Sequence, residues 1–323
     1  MRAVLLRRAR DAAVVVGIVA LVTFVLIHVA PGDPFSAALD ASRVSPEVGA
    51  RWRAQYGLDR PLPEQFVRYV VSAARGDLGF SVSQQRPVSQ AIRDALPNTV
   101  QLMAVALALS LVFGVALGVA QAVWRGGAID RILGSATLVT YSVPEFWLAI
   151  VMLLAFSYWL PWLPSGGMVD ASTHEYLPFW GRLGDRLAHL VLPAATLALF
   201  TMAQVARHQR AALGGALAED YVRTARAKGA SRAAVILRHA WRNALLPVIT
   251  LAGVALPMLF GGAVFIENVF GWPGMGRLAV GAIATRDYHL VLACVLVGSV
   301  MVAVGSAVAD MLHAIADPRA REG

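Results

Sequence analysis

The sequence predicts an all-α membrane protein with six transmembrane helices. Three observations predict it. The 323-residue chain is 58% hydrophobic with a mean hydropathy of +0.62, whereas an ordinary soluble domain is about 45–50% apolar. Its apolar residues gather in runs of about 20, each long enough to cross ~30 Å of hydrocarbon as a helix. Its basic residues cluster in alternate connections between those runs, the pattern by which multi-pass chains take their orientation. Helices are required because backbone groups in lipid must pair within their own segment.

The six spans are Ala12–Ala30, Thr99–Trp124, Ile132–Leu160, Ala188–Ala206, Ala244–Ile266 and His289–Ala309. The first follows a basic stretch (Arg2, Arg7, Arg8, Arg10). Its apolar run exceeds the roughly 7–15 residues of a signal-peptide core, and no small-x-small site follows at once, so it reads as an anchor. Gly114 and Gly118 in "FGVALGVAQA" form a small-x-x-x-small pattern that favours close helix contact in the second span. The run "FGWPGMGRL" (270–278) holds three glycines and a proline, which reads as a re-entrant turn or tight outer loop rather than helix.

Orientation follows from the arginines. They stand in the N-terminal segment, in "RGGAIDR" (Arg125, Arg131), in the long connection between the fourth and fifth spans, and in the terminal "DPRAREG". Those four segments then share the cytoplasmic side. The long Pro31–Asn98 segment faces outward as a small extracytoplasmic helical subdomain, with helical patterns at Pro46–Tyr56 and Leu62–Ala74. The 161–187 loop also faces outward, with Trp159, Trp162 and Trp180 as interfacial anchors.

Charge and composition exclude several function classes. The net charge is +8, but Lys228 is the only lysine and no aromatic–basic interleaving of the RNA-binding kind is present, so no nucleic acid is expected as a partner. Cys294 is the only cysteine and cannot form an intrachain disulfide. No G-x-x-x-x-G-K-[ST] phosphate loop occurs, and no nucleophile–base or HExxH constellation, so no catalytic residue, metal site or cofactor site is assigned. His28 stands alone on an apolar face and reads as a packed histidine. Arg286 and Asp287 flank the sixth span and read as interfacial anchors. Glu145, just after Pro144, is an acid inside the third span; such residues face a cavity or a partner. It lines a pathway, or pairs across a subunit interface, or sits near water at a helix break. Glu267 and Asn268 close the fifth span on the outer side and are the other pathway candidates; a water-satisfied helix end is the alternative.

The densest basic block is "EDYVRTARAKGASRAAVILRHAWRNALLPV", Glu219–Val248. Residues 219–228 favour a short helix, Gly229 stops it, and Ser231 caps a second helix running to about His239. Ala225, Ala227 and Ala230 are small and permit close approach of another surface, while the flanking arginines can reach carboxylates. The stretch is either a short docking helix lying along the membrane or a positive-inside loop on anionic headgroups.

These residues carry a resemblance. "EDYVRTARAKGA" with "HAWRNALLPV" resembles the coupling segment of ABC importer permeases, nearest to the B-type subunit of the dipeptide/oligopeptide (and nickel) permease family. The likeness extends through "APGDPF", "LPNTVQL", "SVPEFWLAIV", "LPAATLAL", "GGAVFIENVFGWPGMGRLAVGAIATRDYHLV" and a terminal "DPR", in that order. Many such permeases carry Glu-Ala-Ala six residues before the glycine. Here those places are Arg223, Thr224 and Ala225, as in the peptide branch, which puts in doubt any role of the missing glutamate.

The resemblance implies a type I ABC importer permease fold in the bacterial cytoplasmic (inner) membrane, with both termini cytoplasmic. It implies a tail and first helix at 1–30, the extracytoplasmic subdomain at 31–98, a five-helix core at 99–316 containing a coupling segment at 207–243, and a tail at 317–323. Residues 220–230 would be the ATPase-coupling helix: Asp220, Tyr221, Arg223, Thr224, Ala225, Arg226, Ala227, Lys228, Gly229 and Ala230. The implied partners are a second homologous permease in a heterodimer, two cytoplasmic ABC ATPase subunits holding ATP and Mg, an extracytoplasmic solute-binding protein, and the lipid bilayer. The implied cargo is a di- or oligopeptide, with glutathione or chelated nickel as alternatives. An ion-coupled secondary transporter is the competing class; it predicts inverted repeats and midplane ion ligands, and no clear repeat is visible.

Overall fold

A computed structural model describes residues 2–29 and 60–316 of the chain. The helical pattern at Pro46–Tyr56 lies outside the described residues. The helices are α1 (Arg2–Val29), α2 (Leu62–Ala74), α3 (Val88–Val123), α4 (Ala128–Ser142), α5 (Glu145–Leu153), α6 (Phe179–Ala216), α7 (Asp220–Ala227), α8 (Leu246–Val269), α9 (Met275–Ala284) and α10 (Tyr288–Ala316). Strands β1 (Phe80–Ser81) and β2 (Arg86–Pro87) pair antiparallel just before α3.

Among the described residues, Arg10–Val29, Val88–Val123, Phe179–Ala216 and Tyr288–Ala309 are long and apolar enough to cross a membrane. Two bent pairs bring the number to six if each pair is one span. The third span of the sequence reading, Ile132–Leu160, is therefore not one helix. It is α4 followed by α5 with a π-helical end at Leu154–Trp159, and the two halves meet at 108°. The cause is Pro144, which disfavours helical backbone at Val143; Val143 is extended (φ −87°, ψ 133°) and Pro144 precedes the first turn of α5. The other pair, Pro247–Ala255 and Leu259–Val269, bends by 52° around Pro257, which cannot donate to the preceding turn.

The chain divides into two compact units. One comprises Met1–Thr99 with Pro273–Ala303, the other Val100–Trp272 with Val304–Gly323. In the first, Val88, Ala91, Ile92 and Ala95 of α3 bury against Met275 and Ala282 of α9 and Leu290, Ala293 and Cys294 of α10. His28 is satisfied by packing, as its setting predicts: its ring lies 4.1 Å from that of Phe24, and Nδ1 meets the Phe24 carbonyl at 2.7 Å. The 270–278 run departs from its reading as pure loop. Helix α9 begins at Met275, inside it, because the backbone amide of Met275 donates to the Thr99 hydroxyl at 2.7 Å and Met275 itself is buried.

In the second unit α6 is the central element, packed by α4, α5 and α8. Gly114 and Gly118 make the close contact the sequence pattern predicts. A Cβ at Gly118 would stand 2.5 Å from the Ala206 carbonyl oxygen, and one at Gly114 2.7 Å from Val205 Cβ. Helix α6 is 38 residues long. It starts nine residues before the predicted Ala188, so 179–187 is helix rather than outer loop, and it runs past Ala206 to Ala216, taking in the first part of 207–243.

Candidate functional site

An eight-residue helix is marginal in water by itself, since isolated helices need roughly 12–15 residues. Helix α7 is held by packing instead. Val222 (0% exposed) and Ala225 bury against Val235, with Leu217 and Ala230 around them. Full burial of one valine contributes about 1.5–3 kcal/mol. The end of the helix is equally defined. Gly229 has φ +82°, its amide donates to the Arg226 carbonyl at 2.9 Å, and the Ala230 amide donates to the Ala225 carbonyl at 3.1 Å. This is a Schellman stop, whose left-handed residue favours glycine. Ser231 caps the next helical turn, its hydroxyl accepting from the Ala234 amide at 3.2 Å.

The second helix of the segment differs from the single run expected. Arg232–Ala234 passes into a π-helical turn, Val235–Ala240, then Trp241–Ala244 and α8. In an α-helix two residues five apart point about 140° away from each other. The wide turn lets Val235 face α7 while Ala240 and Ala244 face the Ala122–Leu213 seam of α3 and α6.

This placement corrects one expectation. Ala225 is not offered to another surface; it is sealed against the chain's own Val235. The exposed side of the segment carries Asp220, Tyr221, Arg223, Thr224, Arg226, Ala227, Lys228 and Gly229, with Ala230 half-buried. Asp220 and Arg223 pair across one turn at 3.3 Å.

The three acid and amide candidates lie on α5 and α8. Glu145 opens α5, half-buried, and its carboxylate rests on α8. A Cβ at Gly262 would stand 2.5 Å from Glu145 Oε2 and 3.1 Å from Leu197 Cδ1 of α6. Glu145 thus sits where three helices converge, at a break whose backbone groups need protein or water rather than lipid. Glu267 is 0% exposed, which removes the water-satisfied helix end as its explanation. Asn268 is exposed and bonds back to the Val264 carbonyl at 2.7 Å.

Two constellations escaped sequence reasoning. The Asp185 carboxylate of α6 meets His174 Nδ1 at 2.6 Å and accepts the Asp170 amide at 3.1 Å, tying down the 170–176 stretch, and the Asp185 backbone carbonyl meets His189 Nδ1 at 2.8 Å. Nearby, the hydroxyl and amide of Ser172 hold the Asp170 carboxyl below the usual carboxylate range. In the other unit Asp287 is a buried anchor rather than an interfacial one, while Arg286 stays exposed.

The comparisons with known proteins agree with this architecture. Residues 113–322 match the family described as the binding-protein-dependent transport system inner membrane component, and residues 1–103 match its N-terminal part. The chain is 36% identical over 320 residues to the oligopeptide transport system permease protein AppB of Bacillus subtilis, covering 99% of each. It is 37% identical over 316 residues to the di/tripeptide transport system permease protein DppB of Pseudomonas aeruginosa, covering 94% of each. Its fold is similar to a chain of the inward-facing MetNI methionine ABC transporter, with a TM-score of 0.52 at 18% identity over 69% of this chain and 96% of that one. The chain belongs to the binding-protein-dependent transport system inner membrane components: it is a multi-pass membrane subunit of an ABC importer, in a family that carries its ATPase activity on separate subunits.

Proposed function

We propose that the chain forms one half of the pathway of a bacterial di- or oligopeptide importer, and that α7 seats a cytoplasmic ATPase subunit. One observation carries the second part. A helix too short to persist alone is packed by its own chain on one side and leaves a continuous polar, cationic side outward. The peptide cargo rests on the relatives, whose names specify oligopeptides and di/tripeptides.

In this reading the partner is a second, similar permease, and a solute-binding protein delivers cargo from outside. ATP and Mg belong to the ATPase subunits. Their closure displaces α7, and the Val222–Ala225–Val235 contact forces the following turn and α8 to move with it. The pathway passes Glu145 and Asn268, whereas Glu267, fully buried within its own chain, does not line it, and the Glu145 carboxylate meets a peptide's ammonium group. Both termini lie in the cytoplasm.

The test is co-purification of the ATPase subunits with the assembled permease pair. Ala227→Glu with Lys228→Glu changes only exposed positions. It is expected to reduce retained ATPase about tenfold or more, the scale of losing an interface hot spot, while insertion and pairing persist. Undiminished retention would overturn the docking assignment. Import of labelled dipeptides by wild type in proteoliposomes tests the cargo.

A further inference from the structure

Two arginines, one on each side of α7 in the chain, grip the same short turn. Arg210, near the end of α6, places Nη2 2.9 Å from Asp130 Oδ2. Arg232, the residue after the Ser231 cap, donates from Nη2 to the Val123 carbonyl oxygen at 2.6 Å. Val123 ends α3 and Asp130 lies in the first turn of α4, so both ends of the turn between them are held. The same carboxylate oxygen also accepts the Gly126 amide at 3.0 Å, which closes the turn on itself.

The chemistry of each contact is specific. The Val123 carbonyl belongs to the last turn of α3, where carbonyls have no partner within the helix. A guanidinium there satisfies one of them and complements the negative end of the helix dipole. Asp130 has a side chain 6% exposed, against 43% for Arg210, so the carboxylate is presented from inside and the cation reaches it from outside. Beneath both contacts runs an apolar seam of Val119, Ala122, Ala212 and Leu213 with Ala240 and Ala244.

Helix α4 is also held at its far end. Tyr141 stacks on Phe200 with ring centres 5.1 Å apart and lies under the Arg207 guanidinium at 5.2 Å. Beyond Tyr141 come the break and Glu145. A continuous set of contacts therefore runs from the arms of α7 through the 123–130 turn and along α4 to the bend.

We propose that the α3–α4 turn is a second coupling element, and that Arg232 and the Arg210–Asp130 pair transmit displacement of α7 to α3 and, through α4, to the broken helix bearing Glu145. Arg232, Arg210 and Asp130 are positioning residues that touch neither ATP nor cargo. The inference rests on α7 as the ATPase-docking helix. Each contact satisfies a polar group of the turn, one of them the nearly buried Asp130 carboxylate, and the two reach it from both arms of α7, so the turn is tied to α7 at both of its ends.

The experiment uses the full complex in proteoliposomes, with partner permease, ATPase subunits and binding protein. It reads ATPase retention, ATP hydrolysed and peptide imported. Arg232→Met and Asp130→Asn are expected to keep the ATPase bound and hydrolysing while import per ATP falls about tenfold, within the 5–150-fold range of typical coupling effects. Arg232→Lys should restore most of the loss. Unchanged import per ATP in both single variants overturns the proposal. If Asp130→Asn does not assemble, Arg232→Met at its exposed site decides alone. If the Ala227→Glu, Lys228→Glu variant keeps its ATPase, the docking assignment fails and this inference with it. If that variant loses its ATPase while Arg232→Met imports normally, only the turn's role fails.

Discussion

Tyr69 of α2 buries a hydroxyl that has no hydrogen-bond partner among the described residues. Burial, with a smaller contribution from the nearby Cys294 thiol, pushes its phenol up to about 12. An unfolded tyrosine ionises near pH ~10. The folded state therefore holds the proton longer. The stability this confers is complete below pH ~10 and is lost as the pH rises through that value toward 12. Tyr69→Phe should flatten the fall in melting temperature over that window without lowering stability at neutral pH, because it removes an unpaired donor. Thermal unfolding across the pH series measures both effects. Asp287 is the opposite case, a buried polar group fully used. It accepts Ser81 Oγ at 2.7 Å, Ser83 N at 2.9 Å and Ser83 Oγ at 2.8 Å, and the Leu290 amide at 3.2 Å, so it clamps the β1–β2 ribbon while capping α10. The serines stand more than two hundred residues away in the chain, and no local pattern in "TRDYHL" advertises them.

At the scale of elements, signals that reside in a few adjacent residues were legible in the sequence. The glycine stop at Gly229 and the cap at Ser231 depend only on local backbone chemistry, and both stand where that chemistry puts them. The Gly114–Gly118 pattern likewise gave the tight face of α3. Gly118→Val has no room, since the Ala206 carbonyl oxygen already lies 2.5 Å from the first added carbon. Overpacking of this kind costs about 1–3 kcal/mol, and the melting temperature of the detergent-solubilised permease pair should fall accordingly. The features that escaped are those that depend on what packs from elsewhere. Hydropathy averages over Ile132–Leu160 and cannot see one proline turning it by 108°. The inward turn of Ala225 needs Val235, and the π-helical turn that presents Val235 has no composition of its own.

For the whole molecule, the decisive question is what an acid does inside an apolar bundle. Glu145 rests on Gly262 at the bend, against α6 and α8. If it meets the ammonium group of a peptide in transit, Glu145→Gln removes a charged hydrogen bond worth about 1.5–3 kcal/mol. Import of free peptides should then drop about tenfold or more with the ATPase still bound, and uptake by proteoliposomes measures it. An unchanged uptake would return Glu145 to a structural role. The length of α6 bears on how little the bundle must rearrange. Pro193 lies inside it and cannot donate to the His189 carbonyl one turn back. From Pro193 to Ala216 the helix extends for ~34 Å at 1.5 Å per residue. A tilt of about 10° there would sweep its far end through ~6 Å, slightly more than one helical pitch. The mechanical advantage also runs in reverse: a push of one pitch at the α7 end asks for a pivot of only about 9° at Pro193, so a large stroke outside the membrane is geared down to a small angle within it.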